Sequence, residues 1–557
     1  MLKLKKIIAC AAAPVITCMG FGSFAPTNAA PDEYHDDWLH VNDNAEIVDM
    51  YGNPVWLTGC NWFGYNVGSQ VFDGVWSQNM HEMLNQIADH GFNLLRVPVS
   101  TELLLQWKNG DPDPATPKVN QYCNPELTLE GIEGGTIMYS FDIWNYAVKW
   151  CRENGIKIMI DIHCAETASA GHQVNLWYTD KFSTDDWLEA LNWFADYYKD
   201  DDTIIAIDLK NEPHGKADVP DNMARWDDTK DPQNWKYAAE RGAASVLSAN
   251  PNLLIMVEGV EVYPKEGYDW TAPAIEYTTM TEFYYGAWWG GNLRGVREHP
   301  VDLGEHQSQL VYSPHDYGPL VYNQKWFDKD FTTQTLLDDY WYDTWAYLCE
   351  ENISPLLMGE WGGFIDEEHD ADGKNTKWLT LLRDYMIEHR IHHTFWCFNE
   401  NSGDTGGLVY DNFGKWDEDK YALVKPALWQ DDNGKFISLD HTIPLGKNGI
   451  TVSEYYSGSV TPTSPTTQTS ASTAVTEATA ASETDADIIY GDVNCDKSVD
   501  ISDAVLLKCF LINSEKYKIS EKGKTAGDVH GNKNGLNAQD AVCIQKKILG
   551  MIKELPV

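Results

Sequence analysis

The sequence predicts an α/β chain built on a closed (β/α)8 barrel, followed by a linker and a small all-α module. Three observations predict this. Short apolar runs alternate with helical patterns between residues 54 and 399, as parallel strands joined by crossover helices do. Eight such runs occur, at 54–60, 93–99, 157–163, 204–211, 254–259, 310–317, 355–361 and 393–399, the number that closes a barrel in a region of this size. Residues 488–557 contain an internal repeat, "GDVNCDKSVDISDAVLLKCFL" and "GDVHGNKNGLNAQDAVCIQKKIL", which suggests one small paired module.

In chain order, residues 1–30 carry three lysines, an apolar run and small residues near Ala29 and Ala30. They read as a secretory signal peptide cut near residue 30. A lipoprotein anchor on Cys18 is the rival, but Val15-Ile16-Thr17 fit a lipidation signal poorly. No later apolar stretch is long enough to span a bilayer. The chain is therefore expected to be secreted and extracellular, with no membrane partner. Its formal net charge of −43 repels phosphate backbones and argues against nucleic acid; a neutral polymer is not repelled. Cys10 and Cys18 lie in the signal, and an odd number of cysteines remains, with no CxxC pair. A zinc site is not expected, and at least one thiol stays free or pairs between chains.

Residues 31–456 form the expected catalytic domain and contain all 23 tryptophans. Residues 457–487 are almost entirely Ser, Thr, Ala, Pro and acid, the composition of a flexible linker. Within the barrel region, "NLLRVPVS" ends near Arg96 and is followed by the helical "FDIWNYAVKWCRENG". "IMIDIHC" ends at His163 and precedes the helical "DDWLEALNWFADYYK". "IIAIDLKNEPHG" delivers Asn211 and Glu212, and "LIMVEG" adds Glu258. "LVYSPHDYG" ends with His315 and Tyr317, "PLLMGEWGG" with Glu360, and "HTFWCFNEN" near Trp396. An open doubly wound sheet would show similar alternation, but no Gly-rich loop follows the first strand.

Barrel chemistry sits at the C-terminal ends of the strands. Taken singly, each of these residues is more often a salt bridge, a satisfied core group or packing. Taken together they converge on one mouth. Metal-ligand spacing and a GxSxG elbow are both absent. Two facing carboxylates suit glycoside hydrolysis, in which one carboxyl donates a proton and the other stays ionised. Arg96 beside Glu360 would keep that group charged, and its charge would raise the pKa of Glu212. Tryptophans in "CNWFGYN" (Trp62), "NLWYT", "AWWGGNL" (Trp289) and "YNQKWF" are candidates to line a groove in which pyranose rings stack.

Residues 35–430 resemble glycoside hydrolase family 5, clan A, and most closely its bacterial endo-β-1,4-glucanase branch. Asn211-Glu212-Pro213, "WWGGNL" (288–293) and "NSGDTGGL" (401–408) carry the resemblance. It implies Glu212 as acid/base, Glu360 as nucleophile, and supporting roles for Arg96, His163, Asn211, His315, Tyr317 and Trp396. It implies retention of configuration without a catalytic cofactor, with carboxyl groups about 5–5.5 Å apart. The same machinery acting on mannan, xyloglucan or mixed-linkage glucan is the neighbouring reading; a catalytically dead binding protein would have lost one of the two carboxylates. Lys210 stands where relatives often carry His, and Trp361 where Phe is common; segments 109–138 and 262–300 are long loops.

In the C-terminal repeat, Asp492, Asn494, Asp496, Asp500 and Asp503 fall at positions 1, 3, 5, 9 and 12 of a Ca²⁺ loop, with the Ser498 carbonyl between. Lys497 replaces the usual turn glycine. The second copy has one extra residue and offers Asp528, Asn532, Asn534, Asn537 and Asp540, with His530 at position 3. The pair resembles a type I dockerin, the module that plugs cellulosomal enzymes into cohesins of a scaffold protein. That resemblance implies two bound Ca²⁺ ions and cohesin contacts at Ile501, Ser502, Ala538 and Gln539.

Overall fold

The structure is a computed structural model. It describes residues 37–459 apart from 111–112, 217–218 and 273–281, and residues 489–556 apart from 496, 500, 513, 515–516, 531–534 and 549–551. The expected signal and nearly all of the expected linker lie outside the described residues. The chain divides into two compact units, Met1–Thr463 and Ser464–Val557.

The first unit contains eight parallel strands: β1 Thr58–Asn61, β2 Leu94–Ser100, β3 Lys157–Cys164, β4 Ile204–Asp208, β5 Leu254–Val257, β6 Leu310–Tyr312, β7 Leu357–Met358 and β8 His392–Phe395. They pair in chain order, and β8 returns to pair with β1. Parallel bridges Tyr312–Leu356 and His315–Glu360 span the remaining seam between β6 and β7. The return of β8 to β1 excludes the open sheet.

Several strands are shorter than their apolar runs. β4 stops at Asp208, β6 at Tyr312, and β7 covers Leu357–Met358. The residues beyond are still buried and keep single backbone hydrogen bonds to the neighbouring strands, such as Leu209 N to Met256 O at 3.3 Å and Ser313 N to Val257 O at 3.0 Å; the Leu209 carbonyl accepts from the Trp187 indole at 3.0 Å. β2, Leu94–Ser100, matches its run 93–99 to within one residue, and Arg96 lies inside the strand rather than near its end.

Side chains alternate across a strand with period two, and here that period builds layers inside the barrel. Leu94, Met159, Ala206, Met256 and Val311 belong to an apolar layer at the N-terminal end, packed on Trp429, Ile437 and Leu439. Two residues further along come Arg96, Asp161 and Asp208 within β2, β3 and β4, and Glu258 and Ser313 one residue past the ends of β5 and β6, all fully buried. An apolar floor thus carries a charged storey directly beneath the mouth.

The crossover helices are capped locally. In α1 (Met80–Asp89) the Asn79 side chain accepts from the Glu82 amide, and Met80, Met83, Leu84, Ile87 and Ala88 face the core. In α2 (Thr184–Tyr197) Ser183 and Asp186 form a capping box, and Trp187, Ala190, Leu191 and Phe194 are buried. No disulfide joins the described cysteines.

The second unit packs α3 (Ile501–Ile512), α4 (Glu521–Gly527) and α5 (Ala538–Ile548) around Val493, Leu507, Val529, Ala541 and Ile544. Its two loops repeat the same hydrogen bonds. Asp503 Oδ1 accepts from the amides of Val493 (2.6 Å) and Asn494 (3.1 Å), and Asp540 Oδ1 from those of Val529 and His530 (both 2.8 Å). Asp492 Oδ2 accepts from the Lys497 amide and Asp528 Oδ2 from that of Gly535, each at 2.9 Å. Asp496, Asp500, Asn532 and Asn534 lie outside the described residues.

Candidate active site

Glu212 and Glu360 line one cleft of about 930 Å³ at the C-terminal end of the barrel, together with His163, Asn211, Trp289, Tyr317 and Trp396. A carboxylate oxygen of Glu212 and one of Glu360 lie within 4.8 Å of each other and of a ring nitrogen of His315.

Beneath the cleft, Arg96 is the hub. Its guanidinium donates to Glu360 Oε1 at 2.8 Å, Asp208 Oδ2 at 2.9 Å, Asn61 Oδ1 at 2.9 Å and Asn211 Oδ1 at 3.1 Å. Glu258 and Asp161 complete its surroundings, each at 3.3 Å. Tyr317 donates to Glu360 Oε2 at 2.6 Å. Glu360 therefore meets a cation on one oxygen and a hydroxyl on the other, a setting that favours negative charge.

Glu212 has a different environment. It follows β4 in the left-handed region, φ +52°, and its amide donates to Glu258 Oε2 at 2.7 Å. That bond pins a conformation L-residues seldom adopt. Burial pushes its carboxyl above the usual range and the charge of Glu360 pushes it further, against the His315 hydrogen bond that lowers it. His315 Nδ1 lies 3.0 Å from Glu212 Oε1, and Nε2 lies 3.2 Å from Glu258 Oε1. Burial alone would discharge that ring, but Glu258 and Glu360 outweigh it and hold its pKa well above 6.5. Burial also raises the carboxyls of Glu258, well above its ordinary range, Asp161 and Asp208. Of these four raised carboxyls, Glu212 is the one that lines the cleft.

His163 hydrogen-bonds Asp161 at 2.7 Å and lies parallel to Trp396, 5.7 Å between centroids; burial keeps it neutral. Lys210 is fully buried, its ammonium donating to the Asn211 carbonyl, and burial lowers its pKa. Gly290, φ +69°, allows the 288–291 loop to descend, since a Cβ there would lie 2.1 Å from Glu258 Oε2.

Trp62 corrects the sequence expectation. Its indole is fully buried, stacked on Phe72 at 4.1 Å and donating to the Asp73 carbonyl, so it supports the cleft from behind and offers no face to a sugar. Trp177 is likewise core. Trp288, Trp289 and Trp326 do line the cleft. Sequence reasoning missed Asp161 and Asp208; the signal was a lone acid at an inward position of an otherwise apolar strand.

Arg96→Met is expected to destabilise the domain by about 3–5 kcal/mol, because it strands buried carboxylates without their cation. Chemical denaturation of the variant measures this, and a loss below about 1 kcal/mol would contradict it.

Residues 48–402 match the family model described as cellulase (glycosyl hydrolase family 5). The chain belongs to glycosyl hydrolase family 5. Residues 490–549 of this family 5 chain match the dockerin type I domain. Endoglucanase G of Acetivibrio thermocellus is 51% identical over 515 residues, covering 88% of each chain. Endoglucanase B of the same organism is 44% identical over 525 residues, covering 90% of this chain and 89% of its own. Among solved structures, the endocellulase of the archaeon Pyrococcus horikoshii aligns with a TM-score of 0.60 and 31% identity, over 70% of this chain and 98% of its own.

Proposed function

We propose that the chain is a secreted, retaining endo-β-1,4-glucanase that is attached to a cellulosome scaffold through its dockerin. One observation carries the catalytic reading: Glu212 and Glu360 face each other within 4.8 Å, with Arg96 and Tyr317 committed to Glu360. Such proximity suits the retaining arrangement, in which carboxyl groups sit about 5–5.5 Å apart and leave no room for a water between them and the sugar. In this mechanism Glu212 gives its proton to the leaving glycosidic oxygen while Glu360 attacks the anomeric carbon. The leaving chain departs with that proton, and a glycosyl–Glu360 ester remains. Glu212, now a carboxylate, takes a proton from water, which attacks the anomeric carbon, breaks its bond to the Glu360 oxygen and frees Glu360 as a carboxylate. Asn211 Nδ2 is buried without a hydrogen-bond partner beside the cleft, and it is the donor for a sugar hydroxyl. Trp289 and Trp396 offer flat faces for pyranose rings. The two Acetivibrio relatives are named endoglucanases, and variants of the Pyrococcus enzyme were solved with cellotetraose, which supports a β-1,4-glucan substrate.

Product analysis on carboxymethylcellulose, lichenan, xyloglucan and glucomannan tests the substrate. A rapid viscosity drop on carboxymethylcellulose, ahead of reducing-sugar release, is expected. Preference for glucomannan or xyloglucan over carboxymethylcellulose would overturn the assignment.

In the dockerin the acidic positions 1 and 12 are turned inward: Asp492, Asp503 and Asp540 are buried, and Asp528 Oδ1 is buried with no hydrogen-bond partner. A buried orphan carboxylate oxygen fits a cation site. Asp492, Asn494, Ser498 and Asp503, and Asp528, Asn537 and Asp540 in the second copy, would hold Ca²⁺. When bound, Ca²⁺ supplies charge neutralisation that lets each loop close. Ser502, Ala538 and Gln539 are exposed on the first turns of α3 and α5, available to a cohesin. Chelation by EDTA is expected to remove most of the helical circular dichroism of residues 488–557 and leave hydrolysis by the catalytic unit unchanged. An EDTA-insensitive spectrum would count against the calcium reading.

A further inference from the structure

His214 lies two residues beyond Glu212, and the mechanism above gives it no role. Its ring is almost fully buried and stacks face to face on Trp289, 3.8 Å between centroids and 6° between planes. Its Nδ1 is 2.6 Å from the Glu212 backbone oxygen. An oxygen acceptor at that distance requires the proton on Nδ1, so the ring donates to Glu212. Burial pushes the imidazole down to about 3, so the ring is neutral throughout the working range. Glu261 lines the same cleft; its Oε2 accepts from the Gly215 amide at 3.0 Å and its Oε1 lies 3.5 Å from the Lys216 ammonium. The contacts run from the Glu212 backbone oxygen through the His214 ring to Trp289. One face of Trp289 is occupied by His214 while the residue lines the cleft. Glu212 itself sits in a left-handed conformation that needs outside support.

We infer that His214 is a positioning residue that joins the Trp289 sugar platform to the backbone of Glu212. Its ring fixes the tilt of the platform, and its Nδ1–H fixes the carbonyl of the residue that donates the proton. Substrate seated on Trp289 and a correctly aimed Glu212 carboxyl are then one mechanical state. The inference rests on the assignment of Glu212 as proton donor.

Two substitutions in the full chain separate the halves of the role. His214→Phe keeps a ring under Trp289 and removes the donor. His214→Asn keeps a donor near Nδ1 and removes the ring. With cellopentaose, His214→Phe is expected to lower kcat about tenfold with KM within about twofold, the scale of one lost hydrogen bond. His214→Asn is expected to raise KM about fivefold with a smaller change in kcat, as loss of platform support would. In a Trp289→Ala background, His214→Asn should add nothing to KM, while His214→Phe should still lower kcat. Equal losses in kcat and KM for both variants, or kinetics within about twofold of the parent for both, would overturn the inference. Dinitrophenyl cellobioside, whose leaving group needs no proton, provides the control. The His214→Phe defect should vanish from the burst of dinitrophenol, which reports formation of the glycosyl–Glu360 ester, and a burst-rate defect of equal size would also overturn the inference. Failure of the underlying assignment shows differently: the burst rate of Glu212→Gln on this substrate would then fall as far as its rate on cellopentaose.

Discussion

Glu360→Ala is expected to abolish hydrolysis of β-1,4-glucans, by about five orders of magnitude, the scale on which loss of a covalent nucleophile is felt. Sodium azide should restore turnover of an activated aryl cellobioside and yield the α-glycosyl azide. The substitution leaves a hole beside Arg96 and Tyr317, between the anomeric carbon and the barrel floor, where a small anion meets both donors. Azide attacks from that side, and because no second displacement follows, the product has inverted configuration. Nuclear magnetic resonance of the product decides the matter. A β-azide would assign the rescued role to an acid/base, and near-native activity of the variant would remove Glu360 from the mechanism. Arg96 keeps Asp208, Glu258 and Asp161 as partners in the variant, so the fold should survive.

The parts of this site that were legible in the sequence share one property. Glu212, Glu360, His315, Tyr317 and Asn211 stand where an apolar run meets polar residues, and that boundary marks the barrel mouth whatever the loops do. Trp62 stands at a similar boundary, but a tryptophan can turn either face to the cleft; the Phe72 ring and the Asp73 carbonyl, both distant from it in any strand pattern, decide its direction. Arg96 reads in the sequence as a strand end, because its charge looks like the end of an apolar run. It continues the strand because Asp161, Asp208 and Glu258 on neighbouring strands neutralise it inside the barrel. A single strand cannot announce its partners, so Asp161 and Asp208 passed as ordinary strand residues. Lys210 has the same explanation in reverse: its ammonium is buried among Glu258 and Asp161 from other strands, and nothing adjacent in sequence foretells that. The tyrosine and tryptophan content near the cleft was informative only as a population, since Trp177 joined the core and Trp289 the cleft.

Glu212→Gln carries the second large effect, and its signature is a dependence on the leaving group. On cellopentaose or carboxymethylcellulose the first displacement needs a proton on the departing oxygen, and the variant should lose about 10³- to 10⁴-fold in kcat, within the range for general acid catalysis. On dinitrophenyl cellobioside the leaving phenolate needs no proton. The glycosyl–Glu360 ester should then form at close to the parental rate and accumulate, because its hydrolysis needs Glu212 as a base. A burst of dinitrophenol followed by slow turnover is the expected trace, and a loss of equal size on both substrates would deny Glu212 the acid role. The pH profile gives an independent check with a fixed sign. Burial and the charge of Glu360 hold the folded pKa of Glu212 above the ordinary 4.5, so the parent retains its acid at higher pH than a solvated glutamate would. Activity therefore falls as pH rises through that elevated value, and this basic limb belongs to Glu212. The limb should be present in the parent on cellopentaose, absent from the parent's burst rate on the activated substrate, and absent from the residual rate of Glu212→Gln on cellopentaose. The same contacts set Glu212 apart: Glu360 is engaged by Arg96 and Tyr317, while Glu258, which burial pushes well above its ordinary range, Asp161 and Asp208 lie fully buried against Arg96. Glu212 shares only the His315 proton and faces the open cleft, so it is the carboxyl of the set from which a proton can be passed to a sugar.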